Sequence, residues 1–109
     1  MGAAELKGVS ELDFARAVRK HAEDAGWLVI ETRKAGGYGR DGNWKAVADA
    51  GMPDFLLIRD RRAVALELKS ETGRVSARQQ EVCFALSKTP IETWIVRPRD
   101  SDFIVRTLT

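Results

Sequence analysis

Two short apolar runs, Phe55–Ile58 and Ala63–Leu66, are separated only by Arg59–Arg62, and each meets charge at its outer end. Asp54 opens the first run, after Gly51-Met52-Pro53, and Glu67 and Lys69 close the second. A gap this short favours an antiparallel hairpin. Strands this apolar belong in the middle of a sheet covered by helices. Successive strand residues point to opposite faces, so Glu67 and Lys69 share a face while Leu66 and Leu68 take the other. A hairpin centred near Asp60–Arg61 sets Asp54 opposite residues 66–68, bringing its carboxylate close to that of Glu67. A pair such as Glu67 and Lys69 alone is ordinary on the wet face of a strand. Three charges interrupting two central strands are not, because burial costs several kcal/mol per charge unless it is paired or meets a metal.

The rest of the chain supplies the cover. Ser10 is a good helix N-cap with Glu11 and Asp13 in the first turn, and Leu12, Ala15, Val18 and Ala22 form an apolar stripe with Phe14 beside it, up to a stop at Gly26. Trp27–Thr32 reads as a strand. Ser76 followed by Gln79 has the spacing of a capping box, opening a helix to about Ser87 with Val82, Ala85 and Leu86 inward. Ile91–Val96 is a further strand, and Phe103–Leu108 a short terminal strand or edge segment. The expected fold class is α/β, a mixed central β-sheet flanked by helices, in a single domain over residues 1–109. Residues 34–50 hold four glycines in their first half and read as a long loop or flap, with a short helical turn near its end.

Composition narrows the chemistry. Cys83 is the only cysteine and His21 the only histidine, which excludes an intrachain disulfide, a cysteine zinc cluster and a two-histidine phosphodiesterase mechanism within one subunit. Cys83 is expected to be packed and His21 to lie at the surface. Trp27 and Trp94 read as core or interface anchors. The net charge of +2 permits nucleic-acid binding without demanding it. No run approaches the length of a membrane span and the start has no secretory pattern, so the expected location is cytoplasmic, nucleoid-associated or in the cell of a viral host.

Two carboxylates and an ammonium at one place suit a hard divalent cation, which binds oxygen, offsets phosphate charge and acidifies water. The Leu68 carbonyl stands ready as another oxygen ligand. The ordered set Gly51-x-Pro53-Asp54, an apolar strand, a short turn, then Glu67-Leu68-Lys69 resembles the signature of the PD-(D/E)XK nuclease superfamily. More closely it resembles the VRR-NUC (virus-type replication-repair nuclease) branch. The similarity extends to an acidic first helix ending in Gly26-Trp27, the stretch Ser70–Ser76 and the following Gln79. The resemblance covers nearly the whole chain and implies a restriction-endonuclease-like fold and metal-dependent hydrolysis of DNA. It implies that Asp54 and Glu67, with Glu11 from the first helix and the Leu68 carbonyl, hold Mg²⁺ or Mn²⁺. Lys69 and Gln79 would be catalytic. Glu11 is also an ordinary first-turn acid, and Gln79 an ordinary capping residue whose two roles compete for one rotamer, with Gln80 the adjacent alternative.

The long segment before Gly51 is where the chain departs from that branch. There Lys34, Arg40 and Lys45 are candidates for phosphate contact, and Tyr38 and Trp44 for stacking on exposed bases, unless the rings simply pack down on the sheet. Arg74 and Arg78, beyond the second charged strand, are further phosphate candidates. The expected partner is branched, flapped or junction DNA, bound by a homodimer, alone or within a larger replication or repair machine. A non-catalytic nucleic-acid-binding protein on the same fold is the alternative, and a structural protein in which Glu67 and Lys69 are merely paired is a third.

Overall fold

The computed structural model describes residues 8–32, 36–46 and 49–109. Helix α1 (Glu11–Asp24) begins where Ser10 Oγ accepts the Asp13 N–H at 3.1 Å, with Glu11 and Asp13 against the positive end of the helix dipole. It buries Phe14, Ala15, Val18 and Ala22. Leu12, expected in the stripe, is 51% exposed. The larger ring of Phe14 takes the inward position, where it removes more apolar surface from water. Gly26 ends the helix with φ +89°, a left-handed conformation that glycine adopts without strain.

The strands are β1 (Leu28–Glu31), β2 (Gly36–Tyr38), β3 (Trp44–Ala46), β4 (Phe55–Arg59), β5 (Arg62–Leu68) and β6 (Glu92–Val96). Helix α2 (Ala77–Ser87) joins β5 to β6, and helix α3 (Ser101–Leu108) follows a single 3₁₀ turn, Pro98–Asp100. Four strands form a mixed sheet in the order β1-β4-β5-β6. The first three are antiparallel, with Leu28 opposite Ile58 and Phe55 opposite Leu66. β5 and β6 run parallel, with Leu68 beside Val96. A parallel neighbour needs a crossover rather than a tight turn, and α2 is that crossover. The β4–β5 connection is the two-residue turn Asp60–Arg61, with Asp60 at φ +53°.

One face of the sheet packs on α1 and α3. Its core is Phe14, Val18 and Ala22 from α1, Phe55, Leu57, Val64, Leu66, Leu68 and Val96 from the sheet, and Ile104 and Leu108 from α3. Trp27 locks the carboxyl end of α3 to this face. Its Nε1 donates to the Leu108 carbonyl at 2.7 Å, and the Arg59 guanidinium lies 4.5 Å from its ring centroid. Arg59 also donates to the carbonyls of Ala25 and Leu108, at 2.8 and 3.2 Å. Arg62 is held by Glu92 through two bonds of 2.8 Å. Arg59 and Arg62, the two arginines that flank the turn, are therefore structural. The second face carries Asp54, Leu56, Ile58, Ala63, Ala65, Glu67 and Lys69. α2 covers its Glu67 end, and Leu28, Ile30, Ile58 and Ile95 remain exposed beyond it.

Several sequence expectations change. Phe103–Leu108 is a helix, not a strand: Ser101, Ile104 and Leu108 are its buried positions, a helical spacing that the short window 103–108 conceals. Residues 34–50 are not simply a loop. Where described, they form the antiparallel hairpin β2–β3, paired Gly36–Ala46, Gly37–Lys45 and Tyr38–Trp44. Gly42 N–H closes a turn on the Gly39 carbonyl at 3.0 Å, with Gly42 at φ +81°. Trp94 is 43% exposed and meets Phe103 edge to face rather than entering the core. His21 is half-buried, with Nε2 enclosed. On α2, Cys83 is the buried residue and Ala85 faces out. Among the described residues no helix is long and apolar enough to cross a membrane.

Candidate active site

The register that pairs Phe55 with Leu66 carries Asp54 opposite Glu67, inside the expected window of 66–68. Asp54 is fixed from two sides. Its Oδ2 accepts the Leu68 N–H at 2.9 Å, and its carbonyl accepts the Thr32 N–H at 3.0 Å. Thr32 Oγ1 also donates to the Pro53 carbonyl, so the end of β1 clamps the Pro53-Asp54 step. Gly51 lets this step approach α2. A Cβ there would stand 2.6 Å from Arg78 Cγ and 2.8 Å from the Arg78 carbonyl oxygen, closer than any side chain permits.

Glu67, the penultimate residue of β5, is 2% exposed. Its Oε1 accepts from Gln79 Nε2 at 3.0 Å and lies 3.9 Å from Lys69 Nζ, while its Oε2 accepts no hydrogen bond from the described residues and the carboxyl group interacts with that of Asp54. Burial raises its pKa from the ordinary 4.5 to about 8, and the facing Asp54 carboxylate pushes the same way, against a smaller opposing pull from Lys69. Glu11, exposed in the first turn of α1, adds its charge to that upward push. Such a buried carboxyl, facing a second carboxylate, takes either a proton or a cation.

Gln79 resolves a competition that the sequence leaves open. Its Oε1 accepts the Ser76 N–H at 2.9 Å while its Nε2 donates to Glu67. The capping box is completed by Ser76 Oγ, which accepts the Gln79 N–H at 3.1 Å. One rotamer does both jobs because the two ends of the amide point to different partners. Helix α2 thus starts at the site and braces Glu67. Cys83, one turn further on, packs beneath it. Burial raises the thiol pKa, and the charges of Glu67 and Asp54 raise it further, so the thiol stays neutral.

Lys69 is largely buried, its N–H bonded to the Val96 carbonyl at 2.9 Å. The loop after it is tied to the end of β6: Arg97 Nη1 donates to the Ser70 carbonyl at 2.5 Å and the Arg99 N–H to Glu71 Oε1 at 2.7 Å. Arg74 is exposed on that loop. Arg78 is held by Asp49 at 2.8 and 3.0 Å, and also by Glu81. That pairing holds the Asp49 carboxyl down at about 2. Tyr38, Arg40, Trp44 and Lys45 lie on the β2–β3 hairpin, and Lys34 lies outside the described residues.

The structure therefore brings together Asp54, Glu67, Lys69 and Gln79, with Leu68 between the acids and the lysine. Glu11 reaches this group by its charge. Among the described residues no three His, Cys, Asp or Glu side chains are grouped as a ready metal cage. The donor set is the Asp54–Glu67 pair, whose Glu67 Oε2, without a hydrogen bond among the described residues, fits a cation. Sequence reasoning missed Thr32 and Asp49. Asp49-Ala50-Gly51 does carry a local signal, since Asp49 Oδ1 accepts the Gly51 N–H at 2.8 Å in an Asx turn. Comparison with family models, with curated proteins and with solved structures gives no match.

Proposed function

We propose that the chain is a divalent-metal-dependent DNA hydrolase, with Asp54, Glu67 and Lys69 as its centre. The observation that carries this reading is the buried Glu67 carboxyl, one oxygen without a hydrogen bond among the described residues, facing Asp54 with Lys69 on the same side of the strand. A merely structural strand gains little from such a group, because burial opposes its ionisation beside a second carboxylate. The mixed sheet with its α2 crossover is compatible with the restriction-endonuclease-like architecture that the motif resemblance implies, and the VRR-NUC branch is the proposed kinship.

Mg²⁺ or Mn²⁺, held by Asp54 and Glu67 with the Leu68 carbonyl beside them, would supply positive charge against the phosphodiester and acidify water. The chain's own residues do the rest. Lys69 presents N–H donors to a phosphate oxygen or the attacking water, and offsets charge that grows in the transition state. Gln79 holds Glu67 in one orientation, and Thr32 holds the Asp54 backbone, so the two acids converge before substrate arrives. Glu11 adds negative potential on the same side. A homodimer would present two such sites to a symmetric branched substrate, and equilibrium sedimentation at working concentration tests that part.

Cleavage of labelled single-stranded, duplex, flap and four-way-junction DNA with Mg²⁺, Mn²⁺ or EDTA tests the reading. Metal-dependent cutting that disappears in Glu67→Ala and Lys69→Ala is the expected result. Folded protein that retains DNA and never cuts it would instead make the chain a binding protein on this fold.

A further inference from the structure

We infer that the β2–β3 hairpin is an aromatic finger that stacks on unpaired bases beside the proposed active site. This rests on the DNA-hydrolase reading and names the part of the substrate that the site recognises. Tyr38 and Trp44 are a directly opposed cross-strand pair on one face of the ribbon, 78% and 51% exposed. Their rings meet edge to face with centroids 5.5 Å apart, which leaves broad ring surface open to solvent. They do not pack down on the sheet, the role expected of aromatics in a passive loop. A two-stranded ribbon is marginal alone, and two large exposed rings are a costly way to build one unless they meet something flat and apolar. Nucleobases are flat, and they offer such a face only when unpaired and unstacked.

Charge and position agree with that occupant. Arg40 stands exposed in the turn, and Lys45 on the opposite face of the ribbon lies 3.8 Å from Asp41. Of the two, Arg40 is the one placed to join the rings, and a cation with stacking rings is the usual composition of a groove for single-stranded nucleic acid. Both roots of the hairpin lie at the site. It leaves the sheet at Thr32, whose N–H bonds the Asp54 carbonyl, and returns at Asp49, which grips Arg78. The next residue of α2 is Gln79, which holds Glu67. The hairpin is thus inserted between two residues, Thr32 and Asp49, that are each tied to the walls of the acidic pair.

The test is equilibrium binding of dye-labelled DNA in EDTA, where no cutting occurs. Single-stranded, forked and blunt duplex probes of equal length are compared. The wild type is expected to favour the single-stranded and forked probes. Tyr38→Val with Trp44→Val keeps strand-forming side chains and is expected to weaken those two probes by about tenfold or more, with duplex binding little changed. Tyr38→Phe with Trp44→Phe keeps stacking rings and is expected to retain the preference. Circular dichroism and the melting temperature show whether each variant is folded. Equal affinity of the wild type for all three probes would overturn the inference, as would a preference for unpaired DNA that survives in the valine variant. Either result leaves metal-dependent cleavage, measured separately, to stand on its own. Ring-dependent binding by a protein that never cuts would remove the hydrolase and keep the finger.

Discussion

Glu67 sets stability and chemistry against each other. Its folded-state pKa of about 8 lies above the ordinary 4.5, so between those values the folded chain holds a proton that the unfolded chain has released. Metal-free protein should therefore lose stability as pH rises from about 4.5 to about 8, and urea titrations in EDTA across that range check the slope. Glu67→Gln should abolish this component and raise the melting temperature near pH 8 by roughly 4 °C or more, while eliminating cleavage. A variant with the wild-type pH slope would mean that another group titrates. Gln79 can be separated into its two jobs in the same way. Gln79→Glu keeps an acceptor for the Ser76 N–H but loses the donor to Glu67. It should leave α2 intact and lower the cleavage rate by about 10- to 100-fold, whereas Gln79→Ala should in addition cost about 1 kcal/mol of stability. Neither assignment was fully legible in the sequence. The spacing of Ser76 and Gln79 announces a cap, but no spacing rule shows that the amide nitrogen is left over for a strand twelve residues earlier.

At the scale of elements, the hairpin β4–β5 was the most legible part of the chain. Its apolar runs, its short turn and the face shared by Glu67 and Lys69 are local facts, and local facts survive folding. Helix α3 was not legible, because Phe103–Leu108 contains too few residues to separate a period of two from 3.6. The β2–β3 hairpin hid behind its glycines, although Asp41-Gly42 between Tyr38 and Trp44 is a recognised hairpin signal. Gly51 was legible as a motif but not as a contact. Its lack of a side chain is what seats α2 against the Pro53-Asp54 step, so Gly51→Ala should push the helix away and destabilise by about 1–3 kcal/mol. Because α2 carries Gln79, the same change should reduce cleavage more than the lost folded fraction explains. Comparing specific activity with the folded fraction by circular dichroism distinguishes the two effects.

Across the whole molecule, stability is concentrated on one side of the sheet. Phe14, Val18, Ile104 and Leu108 are fully buried on that side, while the other, covered by α2, leaves Leu28, Ile30, Ile58 and Ile95 exposed. Trp27 ties the covered side to the chain's last helix, so Trp27→Ala should cost about 3–5 kcal/mol and release α3. Hydrogen exchange of the α3 amides should rise with it. By contrast, Leu28→Thr on the open side should change stability by no more than about 0.5 kcal/mol, since that side chain is 62% exposed. The α/β architecture was readable because a helical apolar stripe, apolar strand runs and a capping box follow one another along the chain. Which side would be thick and which thin was not, since that depends on where two helices dock.

The two-residue turn at Asp60–Arg61 fixes more than a bend. It sets the phase of an alternation in which Leu66 and Leu68 belong to the core and Glu67 and Lys69 to the chemistry. One residue added within the turn can be absorbed as a longer loop. One residue added between Ala63 and Val64 shifts every later side chain of β5 by half a period, turning the acid toward Phe14 and a leucine toward the substrate. The chain can thus tolerate changes of length at the tip of this hairpin, while its shaft admits them only in pairs.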